Sequence, residues 1–356
     1  MLKCNNSTQY VLPSVTLKRG SPPQPFTVQI ATGTSNFWVP SSKCSSPTCV
    51  RHPRFDSSAS DTYQHNNRTQ GRGRFRIPSM QRQYGSDSDP EKSPVDLVGT
   101  VGQDQLAIAG GLIVVNDRQS FGEVEQERGE GMRIALRNDR FDGVLGLGYD
   151  EYSQTGRPFI LDLVEQDVLE KAVFGIYLSS HNDNGDDENS LTLGGLDPEH
   201  YIGEIQWHGV TGQGRGQWAI ELTAFALRRE AFEIDGAAVI DTGFPYIALT
   251  RIQAEMINAQ IGGIETEKGS GVYELPCSNI PTLFEFIILF GQEEYQLRGH
   301  EYVFHPKKGR TCQSAIVGMD FSKESGVVAI FGEVFLRKYY SAYDLENYQL
   351  GFALAK

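Results

Sequence analysis

Asp241 is the residue in this sequence best placed to do chemistry. It stands in Val239-Ile240-Asp241-Thr242-Gly243, an apolar lead-in that reads as a buried strand, followed by x-Thr-Gly. The pattern occurs once more, imperfectly, as Gln29-Ile30-Ala31-Thr32-Gly33. In both, a glycine ends the strand in a tight turn that a side chain would crowd. The copies lie 210 residues apart in a chain of 356, too far for a stacked repeat and right for two similar lobes that each give one loop to a shared site. Carboxylates brought together from two such loops would share one proton, because like charges a few ångströms apart cannot both ionise. The charged member can then take a proton from water while the protonated member polarises a carbonyl. Ala31 supplies no carboxylate to such a pair.

Other chemistries find less support. The seven histidines include no His-Glu-x-x-His, and no Gly-x-Ser-x-Gly is present. Gly212–Gly216 lacks the Lys-Ser/Thr ending of a phosphate loop and reads as a surface turn. The acidic turn His181–Asn189 lacks the twelve-residue calcium loop and its terminal Glu, so it reads as a solvated hairpin. Without Cys-x-x-Cys or a histidine at zinc spacing, no metal and no cofactor is expected. A net charge of −13 argues against nucleic acid, which needs a basic face. The exception is residues 51–82, where seven arginines face only Asp56 and Asp61; this reads as a solvated surface, with a docking site for an acidic partner as the alternative.

The elements that must position the two loops are mostly strands. Few long helical patterns interrupt a chain with 38 glycines and 15 tyrosines. Phe26-Thr27-Val28-Gln29-Ile30 alternates at period two and delivers Ala31 to a strand end, after a turn at Gly20–Gln24. Phe141-Asp142-Gly143-Val144-Leu145-Gly146-Leu147-Gly148 is a short apolar strand ending in glycines, and Ala329-Ile330-Phe331-Gly332 repeats its role in the second half. Strands are also expected at 173–178, around 204–209, at 217–227 and within 234–250. Helices are expected over Arg157–Glu170 and over Gln253–Ile261, the latter burying Ala254, Met256 and Ile257. Residues 51–100 are the least regular part.

Five cysteines leave one odd. Cys44 and Cys49 can close a small loop and Cys277 and Cys312 a longer one, leaving Cys4; five free thiols are the alternative. No apolar run approaches the roughly 18 residues of a membrane helix. Residues 1–5 carry no signal-peptide core, which taken literally implies a cytosolic protein. The cysteines, with sequons beginning at Asn5, Asn6 and Asn67, instead suggest a trimmed chain that passes through an oxidising secretory route.

The two x-Thr-Gly motifs, Thr34-Ser35-Asn36-Phe37-Trp38-Val39-Pro40, the glycine-ended strands and Val334–Asp344 together resemble the pepsin-like aspartic proteases along nearly the whole chain, most of all the fungal vacuolar proteinase A type. The resemblance implies an all-β bilobal fold with a few short helices and a cleft between two similar lobes, here 1–178 and 179–356. It implies Asp241 as one catalytic carboxyl and Ala31 at the place of the missing one. Thr32, Gly33, Thr34, Thr242 and Gly243 would support the loops, and Trp38 would line the cleft. Tyr84-Gly85-Ser86 would stand at the tip of a β-hairpin flap, with 87–97 as an insertion. The cysteine pairs match two disulfides usual in the family.

Departures surround the same centre. Phe244 and Pro245 stand where the family places hydroxyl residues, the first of which supports the carboxylate, and Glu333 stands where it usually has Asp. The resemblance therefore implies two readings. One is an aspartic endopeptidase by descent, acting on an extended peptide or protein substrate in an acidic vacuolar or extracellular setting and disabled at Ala31. The other is a pseudoprotease that binds peptide or protein without cutting. A proteinaceous inhibitor is a possible partner, and a monomer is expected.

Overall fold

The computed structural model describes residues 2–4, 14–65, 74–77, 96–108, 113–128, 141–149, 153–179, 189–213, 216–228, 230–306 and 309–356. Short strands dominate, and the all-β expectation holds. Alternation at period two explains the inner strands. In Gln24–Ala31, Phe26, Val28 and Ile30 point into the core, which leaves Thr27, Gln29 and Ala31 on the opposite face.

The two halves repeat one topology. In the first, the strand Gln24–Ala31 lies parallel to Gly143–Gly146, with Ile30 opposite Leu145 and Ala31 opposite Gly146. Phe37–Pro40 runs antiparallel to Gly143–Gly146 and parallel to the long strand Ile113–Arg128. In the second, Glu230–Ile240 lies parallel to Val327–Phe331, with Ile240 opposite Phe331. Ile247–Thr250 runs antiparallel to Val327–Phe331 and parallel to Ile316–Met319. Each x-Thr-Gly loop is thus the link between two strands that flank the same partner, as the glycine-ended strands suggest. These strands belong to sheets of eight and seven strands. A six-stranded sheet joins the halves in the order Leu2–Cys4, Asn189–Leu193, Val173–Tyr177, Tyr339–Asp344, Gln349–Ala355, Tyr201–Gly209.

The helices are shorter or turned differently than the sequence suggests. The first covers only Phe159–Glu165, because Asp167 takes a left-handed conformation (φ 55°) and turns the chain away. The second covers Arg251–Ile261 and is held at its start by a capping box between Thr250 and Gln253. It buries Ala254, Ile257, Asn258 and Ile261, a spacing of three and four. Met256 lies off that stripe and is 43% exposed, so its assignment to the buried side is wrong.

Both cysteine pairs form disulfides, Cys44–Cys49 and Cys277–Cys312, which overturns the free-thiol alternative for these four. The side chain of Cys4, residues 66–73 and 78–95, and the sequons lie outside the described side chains and residues. Within 51–100, two short strands, Gln64–His65 and Arg74–Ile77, pair with Asp96–Ile108. No helix among the described residues is long and apolar enough to cross a membrane.

Candidate active site

The two loops meet. Thr32 Oγ1 donates to the carbonyl of Ile240 (2.9 Å), and Thr242 Oγ1 donates to the carbonyl of Ile30 (2.9 Å). Each hydroxyl also accepts the other loop's amide, Thr242 N–H on Thr32 Oγ1 and Thr32 N–H on Thr242 Oγ1, both at 3.1 Å. Both threonines are fully buried, so these four bonds satisfy groups that water cannot reach. Their partner strands hold the loops from below, with Leu147 N–H on the Ala31 carbonyl and Asp241 N–H on the Phe331 carbonyl.

The glycines face the residues that precede the threonines in the opposite loop. A Cβ on Gly33 would fall on the Asp241 carboxyl, and a Cβ on Gly243 would lie 3.0 Å from the Ala31 methyl. Gly33 N–H donates to Asp241 Oδ1 (3.0 Å) across the centre, and Gly243 N–H donates to the same oxygen (2.7 Å) within its own loop. Asp241 is almost wholly buried. Burial pushes its carboxyl above the usual range, and the amides of Gly243 and Gly33 pull in the opposite direction. No charged group among the described residues contributes. Asp241 is therefore a single buried carboxyl that keeps its proton to a higher pH than an exposed one. It can donate or accept one strong hydrogen bond; Ala31 offers nothing with which to share a proton.

The remaining expected residues separate. Thr34 Oγ1 accepts Asn36 N–H (3.2 Å) and the Asn36 amide (3.1 Å), which closes the turn after the first loop. Phe244 N–H donates to the Asp241 carbonyl (3.1 Å), and its ring packs edge-on against Tyr246. Trp38 is buried in an apolar cluster with Phe75, Val101, Val124 and the Cys44–Cys49 pair. Tyr84, Gly85 and Ser86 lie outside the described residues.

Several residues at this centre escape the motif reading. Gln29 Nε2 donates to the Gly243 carbonyl (3.1 Å), and Gln217 Nε2 donates to the Gly33 carbonyl (2.6 Å). The available signal for Gln29 is its period-two spacing from Ala31; Gln217 carries none. Trp218 Nε1 donates to the Leu147 carbonyl (2.9 Å), pinning the first half's glycine-ended strand from the second half. Glu333 is buried beside Arg337 (3.6 Å), and burial raises its carboxyl to about 7 against the pull of that guanidinium. Among the described residues one group has ligand atoms close enough for a metal, Cys277, His305 and Cys312, but its two sulfurs are bonded to each other.

Paired x-Thr-Gly loops, joined by reciprocal threonine bonds at the seam of two like β halves, define the aspartic protease class. Residues 14–355 match the family of eukaryotic aspartyl proteases, and the chain belongs to that family. It is 36% identical over 340 residues to the vacuolar protease A of Aspergillus fumigatus, covering 95% of this chain and 77% of that protein. It is 36% identical over 339 residues to the vacuolar aspartic protease of Candida albicans, covering 95% and 74%. Cathepsin E of Mus musculus is 34% identical over 345 residues, covering 96% and 79%.

Proposed function

We propose that this chain is an aspartic endopeptidase by descent whose second carboxyl is absent at position 31. Hydrolysis is then lost or severely reduced, while a cleft between the lobes 1–178 and 179–356 still takes an extended peptide. One observation carries the reading: across the centre Gly33 faces the Asp241 carboxyl, whereas the opposite-loop side chain that Gly243 faces is the Ala31 methyl. A positioned acid or base contributes about 10²–10⁴-fold in rate, and a pair that acts as a unit loses more when either member goes. A water in place of the missing group would restore neither its charge nor its proton. No cofactor is needed for this chemistry.

The second reading, a pseudoprotease that binds peptide or protein as a monomer, draws support from Phe244. An aromatic ring follows the Asp241 loop where the resembled family has a supporting hydroxyl, so the remaining carboxyl also lacks that partner. The vacuolar names of two relatives and the two disulfides support a secretory or vacuolar setting.

The test is hydrolysis of a denatured protein at acid pH by the chain and by Ala31→Asp. Cutting by Ala31→Asp alone supports an endopeptidase scaffold with one group removed. Two inert, folded proteins that still bind peptide favour the binding module. Ready cutting by the unaltered chain overturns the assignment of Ala31.

A further inference from the structure

The threonine bonds are not the only ties across the centre. Gln29, from the first half, gives its carboxamide N–H to the Gly243 carbonyl of the second loop (3.1 Å). Gln217, from the second half, gives its carboxamide N–H to the Gly33 carbonyl of the first loop (2.6 Å). Both glutamines are buried. They do not occupy equivalent places in the two halves: Gln29 lies two residues before its x-Thr-Gly, whereas Gln217 precedes the strand Ala219–Leu227. They nonetheless perform the same act in opposite directions.

The two carbonyls they hold belong to the two glycines whose amides both donate to Asp241 Oδ1. We propose that Gln29 and Gln217 form a crossed clamp of positioning residues, which fixes the peptide planes that follow Gly243 and Gly33 and, through the dihedrals of those two glycines, the preceding planes whose amides present the Asp241 carboxyl. On the first loop's side the clamp touches the altered position. A Cβ placed on Gly243 would lie 3.0 Å from the Ala31 methyl and 3.3 Å from Gln29 Nε2, so methyl, carboxamide and glycine share one small space. Gln29 thus supplies a polar tie to the second loop beside the position where Ala31 supplies none.

The clamp has a signature that mere packing lacks. Hydrogen bonds to an ionised carboxylate lower its pKa, so loosening the two amides raises the pH at which Asp241 gives up its proton. Among the described residues, the titratable group within electrostatic reach of Asp241 is the Tyr343 phenol, whose proton is held by burial well beyond the range of the test. The shift of Asp241 itself arises from burial and the two amides.

The experiment follows the Asp241 carboxyl by carbon NMR in protein labelled at its aspartate carboxyls, with the signal identified by its absence in Asp241→Asn. Gln29→Met keeps the side chain's length and removes its donor; Gln217→Met does the same from the other side. In each, the titration midpoint rises by about half a unit or more. If Gln29→Met does not fold, Gln29→Asn, which keeps the amide and loses its reach, gives the same reading. An unmoved midpoint in folded variants, with or without lower thermal stability, overturns the clamp. The inference rests on reading Asp241 as the working carboxyl, but its readout needs no hydrolysis. A shifted midpoint alongside an inert Ala31→Asp chain keeps the clamp and sinks the endopeptidase reading. An unshifted midpoint sinks the clamp whatever Ala31→Asp does.

Discussion

Thr32 and Thr242 each donate to a main-chain carbonyl of the opposite half and each accept the other's amide, so each hydroxyl ties its own loop to the main chain of the other. Replacing either by valine keeps the shape and leaves an amide and a carbonyl buried without partners. A buried group stranded in this way costs about 1–3 kcal/mol. Thr32→Val and Thr242→Val should therefore each destabilise by about 2–5 kcal/mol in urea unfolding. The two changes remove different pairs of bonds, but the residues are in contact, so the double variant should depart from the sum by a coupling of about 0.5–3 kcal/mol.

The two glycines should respond unequally. At Gly33 a new methyl meets the Asp241 carboxyl, which is itself fixed by two amides. At Gly243 it meets the Ala31 methyl and Asp241 Oδ1, both at 3.0 Å, contacts that a small shift relieves, whereas at Gly33 the overlap is at 2.3 Å. Gly33→Ala should cost about 1–3 kcal/mol or more, as overpacking does, and Gly243→Ala less. Thermal melts of the two variants side by side check the order. Equal losses would mean that the carboxyl is packed no more tightly against Gly33 than against Gly243.

Stability should fall as pH rises from about 4 to about 7. Burial raises the carboxyls of Asp162 and Glu333 to about 7, from ordinary values of 3.8 and 4.5. In that window the unfolded chain has released protons that the folded chain still holds, so each step up in pH favours unfolding. Asp241 acts in the same direction. Asp162→Asn and Glu333→Gln should each flatten the decline of melting temperature across this range. A melting temperature that climbs steadily from pH 4 to 7, unchanged in slope by both substitutions, would refute the assignment.

Arg19 is a buried charge outside the candidate site. It is wholly enclosed, its guanidinium lies 3.5 Å from the centre of the Phe121 ring, and one of its N–H groups donates to the Gln119 carbonyl. Burial lowers it to about 9, held up by Asp104 and Glu123. Taking the cation away leaves the buried Asp104 and Glu123 carboxyls without its field, and an uncompensated buried charge costs about 3–5 kcal/mol. Arg19→Met should lose about that much in chemical unfolding. Adding Glu123→Gln should recover part of it.

The parts of this molecule that were legible in the sequence are those with a local signature. The two x-Thr-Gly turns, the period-two strand into Ala31 and the glycine-ended partner strands all have one. So does the Cys44–Cys49 pair. What the sequence hides is set by the angle of an element or by meetings between distant segments. Met256 is assigned to the wrong face because its apolar character is read without its angle: it lies about 200° around the helix from Ala254, off the stripe through Ala254, Ile257 and Ile261. Arg19 sits in a strand whose alternation gives no warning of a buried cation. Gln217 meets Gly33 across 184 residues, and no spacing rule connects them. The lobe boundary rests on resemblance; the proposed roles of Asp241 and Ala31 draw also on the meeting of the two loops, and the hydrolysis test bears on them directly.

The six-stranded sheet sets the order in which the chain can be finished. Tyr339–Asp344 lies between Val173–Tyr177 and Gln349–Ala355, and Tyr201–Gly209 pairs in that sheet with Gln349–Ala355 alone. During synthesis, then, the strand at 201–209 has no partner in that sheet until residues 349–355 have been made. A chain cut short before Tyr339 is not a smaller version of the fold. It is a molecule without its keystone, with the Val173–Tyr177 edge open and the strand at 201–209 unpaired, both exposed to whatever strand arrives first.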